Sequence, residues 1–244
     1  MVNNVIKDRI EEEKETSSKT HIQKKNNLFF LCVKRFFDFI SSLVISLIII
    51  VPICIIAVVI FIKDPGNPFY CQERIGKNGK SLKIFKLRSM KKNSDCLEKY
   101  LTPEQIEQYK KEYKLDDDPR LIGYKKPGDG KKCFGAKIRQ WSIDELPQII
   151  FNICILGNMS VVGTRPILKD ELAENYNESE KEELLSVKPG LTGYWQAYAR
   201  NNVGYEDHKR QDMELYYVKN QSFWLDLKII FKTIESVLRK NGAK

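Results

Sequence analysis

The sequence predicts an α/β fold (α+β and helix-rich) attached to a membrane by one N-terminal hydrophobic helix. Three observations carry that expectation. Between Asp38 and Lys63 lie 24 residues without a charge, interrupted only by Pro52. Two strand-like runs flank an Asn78-Gly79 turn, the dipeptide most strongly associated with tight hairpins. Several later segments repeat apolar residues at helical spacing.

Residues 1–27 are polar, with Glu11-Glu12-Glu13-Lys14-Glu15 ahead of Thr16-Ser17-Ser18. A mobile tail without a catalytic part is expected there, and its length and acidity do not suit a signal peptide. Residues 28–63 form the membrane element. As a straight helix the uncharged run reaches about 36 Å, enough to cross a bilayer core. Pro52 removes a backbone hydrogen bond near its centre and predicts a kink. Lys24, Lys25, Lys34 and Arg35 precede the run, and Lys63, Arg74, Lys77 and Lys80 follow it. A proline-kinked span fits the composition; a re-entrant helix, bent at Pro52 and returning to the face it entered, fits it and also satisfies both basic flanks.

The remaining residues, 64–244, are expected to fold as one domain. Asp64-Pro65-Gly66-Asn67-Pro68 is a turn, followed by strands near Phe69–Gly76 and Leu82–Met90. Eight basic residues fall between Arg74 and Lys92. Arg74, Lys86 and Arg88 are the candidates there for substrate phosphate; a basic face against anionic lipid is the plainer reading. Residues 93–136 look like an insertion, with a charged helix from Thr102 to Lys114, an Asp116-Asp117-Asp118 turn and a Gly/Lys-rich loop.

The stretch Arg139 to Gln148 sets Asp144 and Glu145 ahead of Pro147 and the apolar run Ile149–Leu156. Leu146, Ile149, Ile150 and Ile153 recur at helical spacing, and Asp144 is expected as the N-cap, with Pro147 harmless in the first turn. A helix start favours an ionised carboxylate and attracts phosphate, and an ionised carboxylate can attack phosphorus. Ser142 and Glu145 have capping-box spacing, but that register would put Pro147 too deep in the helix. Beyond it, Gly157 to Pro166 closes on Arg165, with a helix expected from Ile167 to Tyr176. Arg165 suits a forked grip on phosphate. Lys188 to Ala197 reads as a turn whose glycines either approach a nucleotide or serve a tight bend. A helix is expected from Tyr205 to Lys219. Trp224, Leu227, Phe231, Ile234 and Leu238 share one face of a last helix, which either lies in the membrane interface or packs on the domain.

A net charge of +9 points to anionic partners. The six cysteines are scattered without a CxxC pair, which excludes a zinc ribbon or dithiol redox motif. With only His21 and His208, carboxylates must carry any acid, base or nucleophilic work.

In order, Lys34-Arg35-Phe36-Phe37-Asp38, Asp64-Pro65-Gly66-Asn67-Pro68, Gln72-Glu73-Arg74-Ile75-Gly76 and Phe85-Lys86-Leu87-Arg88-Ser89-Met90 are followed by Asp118-Pro119-Arg120 and Asp144-Glu145-Leu146-Pro147-Gln148. Asn158 to Pro166 and Pro189-Gly190-Leu191-Thr192-Gly193 complete the series. Together these blocks resemble the bacterial sugar transferases, the monotopic polyprenyl-phosphate phosphoglycosyl transferases. The resemblance implies a kinked re-entrant helix anchoring an α/β catalytic domain at the cytoplasmic face of the bacterial membrane. It implies transfer of a sugar 1-phosphate from a UDP-sugar to polyprenyl (undecaprenyl) phosphate, with Mg²⁺, membrane lipid as a partner and no nucleic acid; a homodimer is compatible with it. Asp144 and Glu145 correspond to the catalytic, metal-binding pair, Arg139 and Arg165 to arginines near phosphate, and Pro189-Gly190 to a region near the nucleotide. Two departures stand out: Val51 where the family often has serine before the membrane proline, and Thr164 where proline is common. A glycosidase would hold its two carboxylates about 5 Å or more apart across a sugar, a poor match to adjacent residues. A non-enzymatic scaffold binding anionic lipid or nucleotide sugar is the alternative, and it leaves the Asp-Glu-Pro helix start without a purpose.

Overall fold

From Leu28 to Lys63 the chain contains no glycine and one proline, and it continues a single helix, α1 (Val2–Lys63). The computed structural model describes the backbone of residues 2–112, 115–199 and 208–238, and the side chains of 28–110, 115–199 and 208–237. The tail expected at 1–27 therefore lies outside the residues whose side chains are described. Helix α1 is unbroken at Pro52 and, among the described residues, is the one helix long and apolar enough to cross a membrane. A single stripe of it is buried: Asp38, Ser42, Ser46, Ile53, Ala57 and Ile60, all spaced by whole turns. Leu47, Ile48, Val51 and Ile62 are exposed.

Both ends of the uncharged run are fastened to the rest of the chain. At the first, Lys34 donates to Asp226, Arg35 donates to the Ile153 carbonyl at 2.9 Å, and Asp38 accepts from Ser160 Oγ and from the Val161 N–H at 3.0 Å. At the second, Ile53, Ala57 and Ile60 pack with Leu87, Ile122 and Ile138. Fully burying an isoleucine or leucine in such a cluster stabilises by about 1.5–3 kcal/mol.

The hairpin forms where expected. Strands β1 (Phe69–Ile75) and β2 (Ser81–Leu87) pair antiparallel, from Phe69 opposite Leu87 to Ile75 opposite Ser81. Asn78 and Gly79 both take positive φ, 57° and 72°, the conformation that selects this dipeptide. Asn152, fully buried, presents its side-chain amide to β2, accepting from the Phe85 N–H at 3.1 Å and donating to the Lys83 carbonyl at 2.7 Å.

In the insertion, α2 (Pro103–Glu112) is followed by a loop folded on Asp117, which accepts from the Gly128 and Gly130 N–H groups. Asp118 and Arg120 form a buried pair at 2.7 Å. The expected solvated aspartate turn is thus an internal scaffold at these two positions.

After α3 (Phe134–Gln140) comes a 3-10 turn, Ile143–Glu145, and then a π-helical stretch, Ile149–Ile155. Strands β3 (Ser160–Val162) and β4 (Gly190–Thr192) pair in parallel. Helices α4 (Lys169–Asn175) and α5 (Glu178–Leu185) lie between those strands. Helix α4 starts two residues later than expected, because Ile167 forms a backbone bridge to Ile75 and keeps the chain after Pro166 extended. Helices α6 (Tyr194–Tyr198), α7 (Lys209–Lys219) and α8 (Phe223–Leu238) complete the domain. The start of the helix expected at Tyr205 lies outside the described residues. Ile229 of α8 is buried, whereas Trp224, Phe231 and Ile234 are exposed.

Candidate active site

The left-handed residue Ser142 (φ 53°) ends the reversal after α3 and begins the helical winding. Asp144 is therefore inside the first turn and is not the N-cap. Pro147 explains the local geometry. It has no N–H to give to the Ile143 carbonyl, and the Leu146 N–H takes that acceptor at 3.2 Å, tightening the turn to 3-10. The first-turn position still favours negative charge at Asp144.

Asp144 is 9% exposed and Glu145 is partly buried. Lys86 on β2 reaches Glu145 Oε1 at 3.2 Å, so one predicted phosphate ligand is joined to the predicted acidic pair. Arg139, in the last turn of α3, is exposed. Two adjacent carboxylates suit Mg²⁺, which takes one or two such groups and completes its shell with substrate phosphate and water. Among the described residues no group of three or more His, Cys, Asp or Glu side chains forms a dedicated metal cage.

The antiparallel register puts Tyr70, Gln72 and Arg74 on one hairpin face with Leu82, Ile84 and Lys86. Arg74 is thus on the same face as Lys86, four residues along, or about 13 Å away. There it meets a second cluster. Glu171 of α4 receives Arg165 at 2.7 Å, Arg210 at 3.2 Å and Arg74 at 3.7 Å. The Trp195 ring lies against two of these cations, with its centroid 4.1 Å from the Arg210 Cζ and 5.8 Å from the Arg165 Cζ. The Arg165 N–H also donates to Glu214 Oε2 at 3.0 Å. Burial pushes the Glu214 carboxyl up to about 7, against the opposing pull of the Arg165 N–H and the Arg210 charge. Burial likewise raises the Tyr176 hydroxyl.

The expected residues thus divide. Asp144, Glu145 and Lys86 come together; Arg74 and Arg165 come together at the far end of the hairpin face. Arg88 has another use: its guanidinium binds the Asp64 carboxylate and the carbonyls of Asp64 and Asn67, closing the turn that leaves α1. Pro189 and Gly190 are buried at the β3–β4 pair, where a Cβ on Gly190 would sit 2.1 Å from the Gly163 nitrogen. Close backbone packing is itself sufficient reason for that glycine. Glu171, Trp195, Arg210 and Glu214 were not among the residues expected from sequence. Arg210 and Glu214 are four apart on a helix, the spacing of an ordinary surface ion pair, so their sequence signal is indistinct.

Residues 29–240 match the family model described as "Bacterial sugar transferase". The chain is 38% identical over 226 residues to the undecaprenyl-phosphate galactose phosphotransferase of Salmonella typhimurium, covering 91% of this chain and 43% of that protein. It is 40% identical to an uncharacterized sugar transferase of Haemophilus influenzae, covering 91% and 45%. It is 39% identical to the exopolysaccharide production protein ExoY of Rhizobium meliloti, covering 86% and 87%. The chain therefore spans less than half of the first two relatives and most of the third.

Proposed function

Since this chain belongs to the bacterial sugar transferase family, we propose that it transfers a sugar 1-phosphate from a UDP-sugar to polyprenyl phosphate and releases UMP. The carrying observation is the acidic pair beside Lys86, on a hairpin face that also bears Arg74 into the arginine cluster. Asp144 and Lys86 offer a nucleophile and a cation to a substrate with two phosphates, and the arginine cluster lies about 13 Å on, beyond the buried Leu82 and Ile84. The galactose phosphotransferase named above supports the lipid phosphate as acceptor.

In this reading an Asp144 carboxylate oxygen attacks the sugar-bearing phosphorus. The bond from that phosphorus to the bridging oxygen breaks, and UMP departs with the electron pair. An acyl-phosphate to the sugar remains on Asp144. An oxygen of polyprenyl phosphate then attacks the same phosphorus, the acyl-phosphate bond breaks, and the free carboxylate returns with polyprenyl-diphosphate-sugar as product. Lys86 holds Glu145 in place, and Arg165 and Arg74 offset negative charge on the donor. Asp144 and Glu145 would hold Mg²⁺, which when bound would supply further neutralisation of that charge. The attachment of both ends of the α1 apolar run to one domain supports a helix that re-enters the cytoplasmic face. The exposed Trp224, Phe231 and Ile234 of α8 suit the same interface.

The test is a rapid-quench experiment with UDP-sugars and no lipid acceptor. Intact-protein mass spectrometry should reveal a sugar-phosphate adduct that peptide mapping places on Asp144, and Asp144→Asn should lose both adduct and UMP release. Full turnover by that variant, or an adduct on another residue, would falsify the mechanism.

A further inference from the structure

A cavity of about 110 Å³ opens where α1 enters its uncharged run, and none of the residues placed at the acidic pair or the arginine cluster lines it. Its wall includes Leu31, Lys34, Arg35, Asp38, Lys77 and Lys188, which come from α1, the hairpin turn and the segment before β4. The charges there do not cancel. Lys34 is paired with Asp226, and the Asp38 oxygens are taken by the Ser160 hydroxyl and the Val161 N–H. Arg35 and Lys188 donate to backbone carbonyls, of Ile153 and Gly157, which supply no countercharge. Among the described residues no carboxylate lies within ion-pair distance of Arg35, Lys77 or Lys188. Counting four lining cations against Asp38 and Asp226, the surplus is two positive charges.

We infer that this cavity is a second anion site that binds a phosphate group, namely the headgroup phosphate of an anionic membrane lipid. The cations select phosphate, and the surroundings select a lipid as its source. Leu31 lines the opening, and the next turns of α1 expose Phe36 and Phe37. Phe37 packs on Phe223 with centroids 5.4 Å apart, beside the exposed Trp224. A basic hollow at the root of an uncharged helix, with exposed aromatic side chains on other faces of α1 and on α8, matches the boundary between acyl chains and headgroups. The state of Lys188 agrees with a missing countercharge. Burial pushes its amine down, and Arg35 and Lys77 push it further down against the weaker opposing effect of Asp38. A bound phosphate would reverse that repulsion. This site is separate from the transfer chemistry, so its test does not depend on turnover.

The full chain, purified in neutral detergent, is titrated with phosphatidylglycerol, with phosphatidylcholine of the same acyl chains and with inorganic phosphate, while thermal unfolding and native mass spectra are recorded. Ligand that binds only the folded state raises the midpoint with concentration. Phosphatidylglycerol should raise Tm and appear as a bound adduct, and phosphatidylcholine should do so at least tenfold more weakly. Lys188→Gln should lose about tenfold in apparent affinity for phosphatidylglycerol. Lys77→Gln, on the surface turn, should weaken it in the same direction without disturbing the fold. A full Tm shift from inorganic phosphate alone would overturn the lipid assignment. Equal shifts with both lipids, no shift with any ligand, or unchanged affinity in both variants would overturn the site.

Discussion

Glu214 is the residue whose protonation the fold determines most strongly. Glu214 is 2% exposed; one carboxylate oxygen accepts the Arg165 N–H, and the other has no hydrogen-bond partner among the described residues. An unfolded glutamate titrates near 4.3, whereas burial holds this one near 7. Between those values the native state keeps a proton that the unfolded state has lost. Stability from this group is therefore fully present below about pH 4.3, falls as pH rises through about 7, and then levels off. Glu214→Gln keeps an acceptor for Arg165 and removes the titration. It should unfold at a higher temperature than the parent at pH 8 and at nearly the same temperature at pH 4.5. The scale is about 2–4 °C per kcal/mol for a chain of this size. A parallel pH dependence in the two proteins would refute the assignment. Arg165→Lys keeps the charge but loses the planar fork, so UMP release should fall about 10- to 100-fold in kcat/KM, the range for one charge-assisted hydrogen bond. Near-parental turnover would remove Arg165 from the donor site. That Asp144 and Glu145 stand at the start of helical winding was legible from Pro147 and the apolar run behind them. Its exact seat was misjudged: the Ser142–Glu145 spacing pointed to this earlier start, but the expectation that Pro147 must lie in the first turn favoured Asp144 as the cap.

Among the elements, the hairpin and the hydrophobic helix were plain in sequence because each is specified locally, by Asn-Gly chemistry and by a long uncharged run. The β3–β4 pair was not, for its strands have three residues each and are joined only after α4 and α5 intervene. What makes that pair possible is small size: Cβ atoms on Gly163 and Gly190 would stand 2.4 and 2.1 Å from backbone atoms. Gly190→Ala should destabilise by about 1–3 kcal/mol or more, measured by denaturation without substrate. An alanine variant with parental stability would show that the backbones can separate. The topology of α1 can be read from native thiols, since Cys32 and Cys71 flank the uncharged run and both are exposed. With the other cysteines replaced by serine, an impermeant maleimide added outside intact cells should reach neither until the cells are opened. Labelling of one and not the other would establish a span.

For the whole molecule, the attachment of α1 has a consequence in time. Lys34 and Asp226 are separated by 192 positions, and Asp38 and Ser160 by 122. At about 5–20 residues per second, a ribosome needs roughly 10–40 s to travel from the first lysine to its aspartate. Helix α1 is therefore synthesised, and is apolar enough to enter lipid, well before the carboxylate and the strand that will hold its root exist. Throughout that interval Lys34, Arg35 and Asp38 have only water, headgroups and each other. The helix must wait with its charges unclaimed, and the domain must close onto an element made long before. Closure of the domain onto α1 is thus a late event, completed only when Asp226 of α8 has been made.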